Sequence, residues 1–248
     1  MHRYTYFSDA TRPASYLLLD ACHITSDGDE TRSDSNGRHP CRVANVSIGV
    51  GNASTLVVTA TILTHGALTG RGPLGGVWVY LYVEVNLPSA TSTAAIPDFG
   101  LWQDNVLEAA VSQGGPVRGS SEQGNLGAWI TVSPTWVPTD QQVVVRVGLS
   151  FVDVAHAQLN LHTDQPLGAA TEFDAVQQAT ERVWEGMLAR TTLLAPTDVD
   201  DFPVQRIFAA ATYRSLLAPT TYSESDGSYL GMDGASSIHT RDVCCSVY

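Results

Sequence analysis

Val77-Trp78-Val79-Tyr80-Leu81-Tyr82-Val83-Glu84-Val85 is the run on which the fold turns. Valine or leucine stands at every second place, with Trp78, Tyr80, Tyr82 and Glu84 between them. Side chains two apart on an extended chain share a face. One face is therefore aliphatic and the other largely aromatic. A strand covered on one side only would show polar residues on the other, so the aromatic stripe reads as packed against a second layer. A sugar-stacking platform is the alternative. The same period recurs on either side of this run. Val46, Ile48 and Val50 alternate with small or polar residues, and Leu56, Val58, Ala60 and Ile62 do so with mostly threonine. Val143, Val145, Val147, Leu149 and Phe151 form a further series. Arg3–Phe7, Ser15–Asp20 and Ala128–Val132 are shorter candidates, while Ser26–Pro40 and Ser112–Asn125 read as long polar loops. Clusters of Gly, Pro, Asn and Ser divide the strands, which predicts an antiparallel β-sandwich or barrel over residues 1–162.

Past His162 the period lengthens. Phe173, Val176, Val183, Trp184, Met187 and Leu188 fall on one face at 3.6 residues per turn, predicting a helix over Phe173–Arg190. Thr171 and Asp174 are placed to cap it. A second helix is expected over Pro203–Leu217, with Asp200 or Asp201 as cap and Pro219 as its stop. The parts are thus a sandwich over 1–162, a linker helix within 163–199, and a further helical start over 200–248. Two lone amphipathic helices cannot bury each other, so they need the sandwich or other helices as cover.

Of the 248 residues, 44% are hydrophobic and 15% charged, a globular balance. The net charge is −12, with 13 basic residues thinly scattered. A phosphate-binding groove needs clustered Lys and Arg, so nucleic acid and anionic membrane rank low as partners. No apolar run reaches the ~20 residues needed to span a bilayer. The opening MHRYTYFSDATRP lacks the order of a signal peptide. That leaves a cytosolic protein or a natural start further upstream. Asn45-Val46-Ser47 and Asn52-Ala53-Ser54 are acceptor triplets for glycosylation and lean toward a secretory compartment. Of the four cysteines, Cys22 and Cys41 could pair across the intervening loop, whereas a bridge between adjacent Cys244 and Cys245 would be strained.

Nucleotide loops, HExxH spacing and GxSxG are all missing, and four Cys with scattered His make zinc a poor fit. Two acidic stretches invite a calcium reading, one around Asp27, Asp29 and Glu30, the other at Glu224, Asp226 and Asp233. Neither has the EF-hand order of Gly and bidentate Glu. In the second, Tyr222 and Tyr229 flank the acids. Aromatics beside carboxylates and glycine make Tyr222, Asp226, Tyr229 and Asp233 candidates for contacting a sugar.

Several ordered motifs then carry a resemblance. VRVGLSFVDVAHAQLNL (145–161), TEFDAVQQATERVWEGMLAR (171–190) and FAAATYRSLLAPTTYSESDGSYLGMDG (208–234) together resemble glycoside hydrolase family 92. HRYTYFSDATRPASYLLLDACHI (2–24) is similar to that family's arginine-tyrosine strand and the strand after it. The stretch between, about 25–140, is alike only in β character. The resemblance implies a calcium-dependent exo-acting α-mannosidase with a β-sandwich, a linker helix and an (α/α)6 catalytic barrel, acting with inversion on mannose-containing glycans of glycoproteins. This chain would hold the later part of the sandwich (1–162, incomplete at its start), the linker helix and the first barrel helix. Two departures stand out. SSIHTRDVCCSVY (236–248) follows where the family carries a Trp-Asp segment. No position matches the family's general acid or base, so no catalytic residue is assigned, and the calcium ligands are expected elsewhere. The expectation is a piece of such an enzyme, inactive alone. The alternative is a non-catalytic carbohydrate-binding or interaction sandwich.

Overall fold

The computed structural model describes residues 1–5, 15–21, 41–52, 55–64, 76–86, 97–103, 106–107, 117–121, 126–132, 142–165, 173–191, 202–217, 220–231, 238–240 and 246–247. Asp233, Cys22, Cys244, Cys245, Thr171, Asp200, Asp201, Pro219 and the acidic stretch within 26–40 lie outside them, as does the side chain of Cys41.

Among the described residues, ten strands form two antiparallel sheets. They are β1 (His2–Thr5), β2 (Ser15–Asp20), β3 (Cys41–Asn52), β4 (Thr55–Thr64), β5 (Val77–Asn86), β6 (Phe99–Gln103), β7 (Val106–Leu107), β8 (Val117–Ser121), β9 (Leu126–Val132) and β10 (Gln142–Ser150). One sheet has the order β1-β10-β5-β4-β3-β8 and the other β2-β9-β6-β7. Three helices follow, α1 (Val154–Asp164), α2 (Phe173–Leu188) and α3 (Phe202–Leu216). Short strands β11 (Thr220–Thr221), β12 (Ser228–Leu230), β13 (Ile238–Thr240) and β14 (Ser246–Val247) complete the order.

The period-two pattern sets the register. Val85 faces Leu56 on one side and Val145 on the other, and Val83 faces Val58 and Val147. These aliphatic side chains meet Leu17, Phe99, Leu101, Ala128 and Ile130 from the second sheet in one buried core. The mainly β, antiparallel reading therefore holds, and it takes the form of two packed layers. Phe99, Leu101, Ile130 and Val85 are fully buried.

The aromatic stripe of β5 points the other way, and a helix covers part of it. Gln158 of α1 donates to the Tyr82 hydroxyl at 3.1 Å, and the His162 ring meets Tyr82 edge-on at 6.0 Å. Trp78 and Tyr80 stack on each other at 6.5 Å, half-buried. Below the helix, Arg146 (2% exposed) pairs with Glu84 at 2.8 Å, and Glu84 also meets His162 Nε2 at 2.8 Å. Arg146 further donates to the Gln165 carbonyl at the helix C-cap. A buried ion pair needs such extra bonds to offset its desolvation. Here they tie the last turn of α1 to β10 and β5.

Several elements differ from the sequence reading: β6, β7 and β11–β14 lie outside the strands it predicts, and two further stretches change class. The strand-like reading before His162 is corrected: α1 already begins at Val154, capped by Asp153, whose carboxylate accepts from the His156 amide at 2.8 Å. Only Ala157 and Leu161 of α1 are buried, too few to print a helical period. Within the stretch expected to be a polar loop, 117–121 forms β8, which pairs with β3 and stands at the edge of its sheet among the described residues. The α2 and α3 helices lie where the 3.6-residue period placed them.

Candidate functional site

After α3 the chain returns to the sandwich through residues 220–231. Gly227 takes φ 85°, a left-handed turn that glycine adopts without a Cβ clash. The Gly227 amide donates to the Glu224 carbonyl at 3.0 Å, and the Glu224 amide to the Ser228 carbonyl at 2.7 Å. This tight turn directs the Glu224 side chain inward, where it is 7% exposed.

Three donors receive that carboxylate. The Ser150 hydroxyl donates to Oε1 at 2.8 Å, and the Phe151 amide to the same oxygen at 3.0 Å. Asn160 Nδ2 donates to Oε2 and also reaches the Leu149 carbonyl at 2.8 Å. The other end of the Asn160 amide, Oδ1, accepts from the Ser225 amide at 2.9 Å and hydroxyl at 2.7 Å. Ser150 also receives the amides of Val152 and Asp153, so the strand-to-helix corner and the loop share one network. Three donors thus converge on one carboxylate, two of them on the same oxygen.

Of the four candidates for sugar contact, the structure describes three. Tyr222 stacks on Phe151 at 5.2 Å, and its hydroxyl is made less acidic by burial and by the Glu224 charge. Asp226 accepts from the Ser228 amide at 2.9 Å and hydroxyl at 2.6 Å. Those bonds lower its pKa, with the His156 charge helping against slight burial. Tyr229 lies on β12 and stacks on His239 of β13 at 5.5 Å. Asp233 falls outside the described residues. Tyr222 and Asp226 thus share the anchored turn, and Tyr229 follows on the adjoining hairpin.

A cleft of about 560 Å³ opens between this loop and the α1–β10 corner. Ser150, Asn160, Asp164, Gln165, Tyr222 and Glu224 contribute its polar lining. Gln165 Oε1 is buried with no hydrogen-bond partner among the described residues. His156 stands at the other end of the loop contact, with Nδ1 2.7 Å from Asp153 and Nε2 3.4 Å from Asp226. Burial works against its charged form, but the Asp153 hydrogen bond and charge outweigh it, with Asp226 and Glu224 adding, and its pKa is raised.

Sequence reasoning singled out the acids of the loop but missed their sockets, Ser150, Phe151, Asn160 and His156. The socket residues lie on the opposite side of two helices in sequence, so no spacing pointed to them. Asn45 is exposed near the middle of β3, paired with Thr61 and Ser120, beside a shallow depression that Arg118 and Thr59 also line. Asn52 is exposed at the end of the same strand. Among the described residues, no group of three or more His, Cys, Asp or Glu is arranged to hold a metal ion, and no helix is long and apolar enough to cross a membrane.

Residues 156–246 match the model of the glycosyl hydrolase family 92 catalytic domain. A comparison with curated proteins by sequence returns no match. Among solved structures, the chain is similar to a GH92 family glycosyl hydrolase, ccman5, with TM-score 0.68 and 18% identity over 97% of this chain and 26% of that one. A family GH92 α-mannosidase from Bacteroides thetaiotaomicron aligns with TM-score 0.61 and 19% identity, again over 97% of this chain and 26% of that one. A family GH92 inverting mannosidase from the same organism gives TM-score 0.63 and 16% identity over 92% and 25%. The chain therefore spans about a quarter of the length of these structures. The likeness to family 92 read from the sequence motifs is borne out by the family model, and the solved structures agree in fold.

Proposed function

From that kinship with glycoside hydrolase family 92, we propose that this chain forms the sandwich side of a site that processes α-mannosides, and that it binds the sugar without cleaving it. The match over 156–246 carries the reading, because it takes in α1 and the loop fastened to it. Tyr222, Asp226, Tyr229 and Asp233 are the residues proposed to meet the sugar. An aromatic face suits the C–H side of a hexose, and a carboxylate accepts from its hydroxyls.

Inverting hydrolysis needs one protonated acid at the leaving oxygen and one base on water, about 6.5–9.5 Å apart. The described loop offers the opposite chemistry. Glu224 is saturated by donors, and Asp226 is held below the ordinary carboxylate range. A lowered pKa leaves Asp226 poorly suited to donate a proton, and the hydrogen bonds of Glu224 fit it to hold and orient the loop. The helices α2 and α3 are proposed to lead into an (α/α)6 body that supplies the acid and base. Calcium enters only through the family resemblance. Among the described residues, Glu224 and Asp226 do not fit a calcium site, since Glu224 and one oxygen of Asp226 accept from N–H and O–H groups instead. The substrate proposed is a mannose-containing glycan of a glycoprotein.

Titration of the purified chain with methyl α-mannoside and with an α-1,2-linked mannobiose, followed by NMR, tests this. Resonances of Tyr222 and Tyr229 are expected to shift with mannosides and not with a galactoside, with no mannose released. Release of mannose would overturn the non-cleaving role, and equal shifts with galactoside would overturn the mannoside reading.

A further inference from the structure

We infer that Glu224 is a positioning residue: through Ser150, Phe151 and Asn160 it sets the pose of the loop that carries Tyr222 and Asp226, without touching the ligand itself. The inference rests on the reading of that loop as the sugar contact.

The geometry points this way on three grounds. First, Glu224 is nearly fully buried while its neighbours Ser225 and Asp226 are exposed. The loop therefore sends one carboxylate into the body and leaves the next acid outside. Second, the donors come from three places: the end of β10, the corner after it, and the middle of α1. Such a set fixes both position and rotation of the acceptor, as a single hydrogen bond could not. Third, Asn160 is shared. Its amide nitrogen holds Glu224 while its oxygen holds Ser225, so two successive loop residues are fixed by one side chain. Tyr222 lies two residues before Glu224 and stacks on Phe151, the residue whose amide binds the carboxylate. Moving the carboxylate would move that ring and open the cleft wall it forms. A buried carboxylate without donors would be expelled to water, so the three partners together hold the arrangement in place.

The test uses the full chain with Glu224→Ala, Glu224→Gln and Asn160→Ala, read by amide hydrogen exchange and by mannoside titration. Glu224→Ala is expected to speed exchange at the Phe151 and Ser225 amides about tenfold or more, the size of losing charge-assisted bonds. Amides in β4 and β9 should stay as they were. Asn160→Ala should do the same, and the double variant should be no worse than either single one. Glu224→Gln keeps an oxygen for Ser150 and Phe151, so protection of the Phe151 amide should be largely retained. Mannoside affinity should fall in the same order, most in Glu224→Ala. Unchanged exchange in Glu224→Ala would overturn the inference, as would an equal loss of protection throughout the sandwich, which would mark a fold-wide role. If the unaltered chain binds no mannoside while the exchange results hold, the loop is still seated by Glu224 and it is the sugar reading that fails.

Discussion

His156 sits between two carboxylates that belong to different parts of the chain. Asp153 caps its own helix and Asp226 comes from the loop. Glu224 adds charge from the same loop, and Tyr80 of β5 lies near Asp153, its own pKa raised by burial and by that charge. The His156 pKa is raised: burial opposes this, but the carboxylates prevail. For Asp153, burial would raise the pKa, yet the bonds from the His156 amide and ring bring it down. The signs follow. A raised histidine contributes stability that is complete below its unfolded pKa, about 6.5, and is lost as pH rises through the folded value. The lowered aspartates contribute above about 3.9 and lose that contribution as pH falls through their folded values. The His156–Asp226 contact should thus be strongest between about pH 4 and 6.5 and weaken above. An NMR titration of the His156 ring should place its midpoint above the ordinary value, and Asp226→Asn should draw it down. A wild-type midpoint at or below the ordinary value would refute this. The partners are partly exposed, so the contact is a modest one that salt will weaken.

Helix α1 lies on β10 because Gly148 has no side chain. A Cβ at that position would stand 2.1 Å from the Ala157 carbonyl oxygen and 2.8 Å from the Leu161 Cβ. Neither the helix backbone nor a packed leucine can yield that much. Gly148→Ala is expected to lift α1 and to cost about 1–3 kcal/mol or somewhat more, read as a fall in the urea midpoint. The same change should loosen residues 220–231, since Asn160 rides on α1. An unchanged midpoint would show that α1 is not seated as described. This helix was also the element least visible in the amino-acid order. Val147, Leu149 and Phe151 carry the strand period up to its start, and Val152 and Val154 add β-branched residues that suit a strand. The N-cap signal was present in Asp153, three places before His156, but a single cap does not outweigh that run. The long strands were legible because each has one face in a shared core. Strand β8 was not, because VRGSS sits at an edge and has little to bury. In the candidate site, the loop acids were visible by type. Their partners were not, since Ser150 and Glu224 are brought together across 74 positions by tertiary packing alone.

Seen whole, the molecule has a well-filled body and two sparsely covered helices. None of the side chains described in α2 is buried, and Val183 is 66% and Ile207 70% exposed. The Trp184 and Tyr213 rings meet at 4.7 Å, which joins α2 to α3. Arg3 holds the start of α2 to β1, with a 2.6 Å pair to Asp174 and its guanidinium 4.3 Å above the Phe173 ring. Apolar stripes left in water favour association. Sedimentation velocity should therefore show concentration-dependent self-association of this chain. The double variant Val183→Lys with Ile207→Lys should shift it toward monomer, with little change in the melting of the sandwich. A wild-type monomer at all concentrations would contradict this.

The Glu224 network also joins segments that are synthesised far apart in time. Its donors exist as a set only once β10 has joined the sheet and α1 has settled over Gly148. Residues 142–161 leave the ribosome before residues 220–231. The acidic turn is thus the last part of the network to be synthesised, and its seat is built wholly from residues made before it.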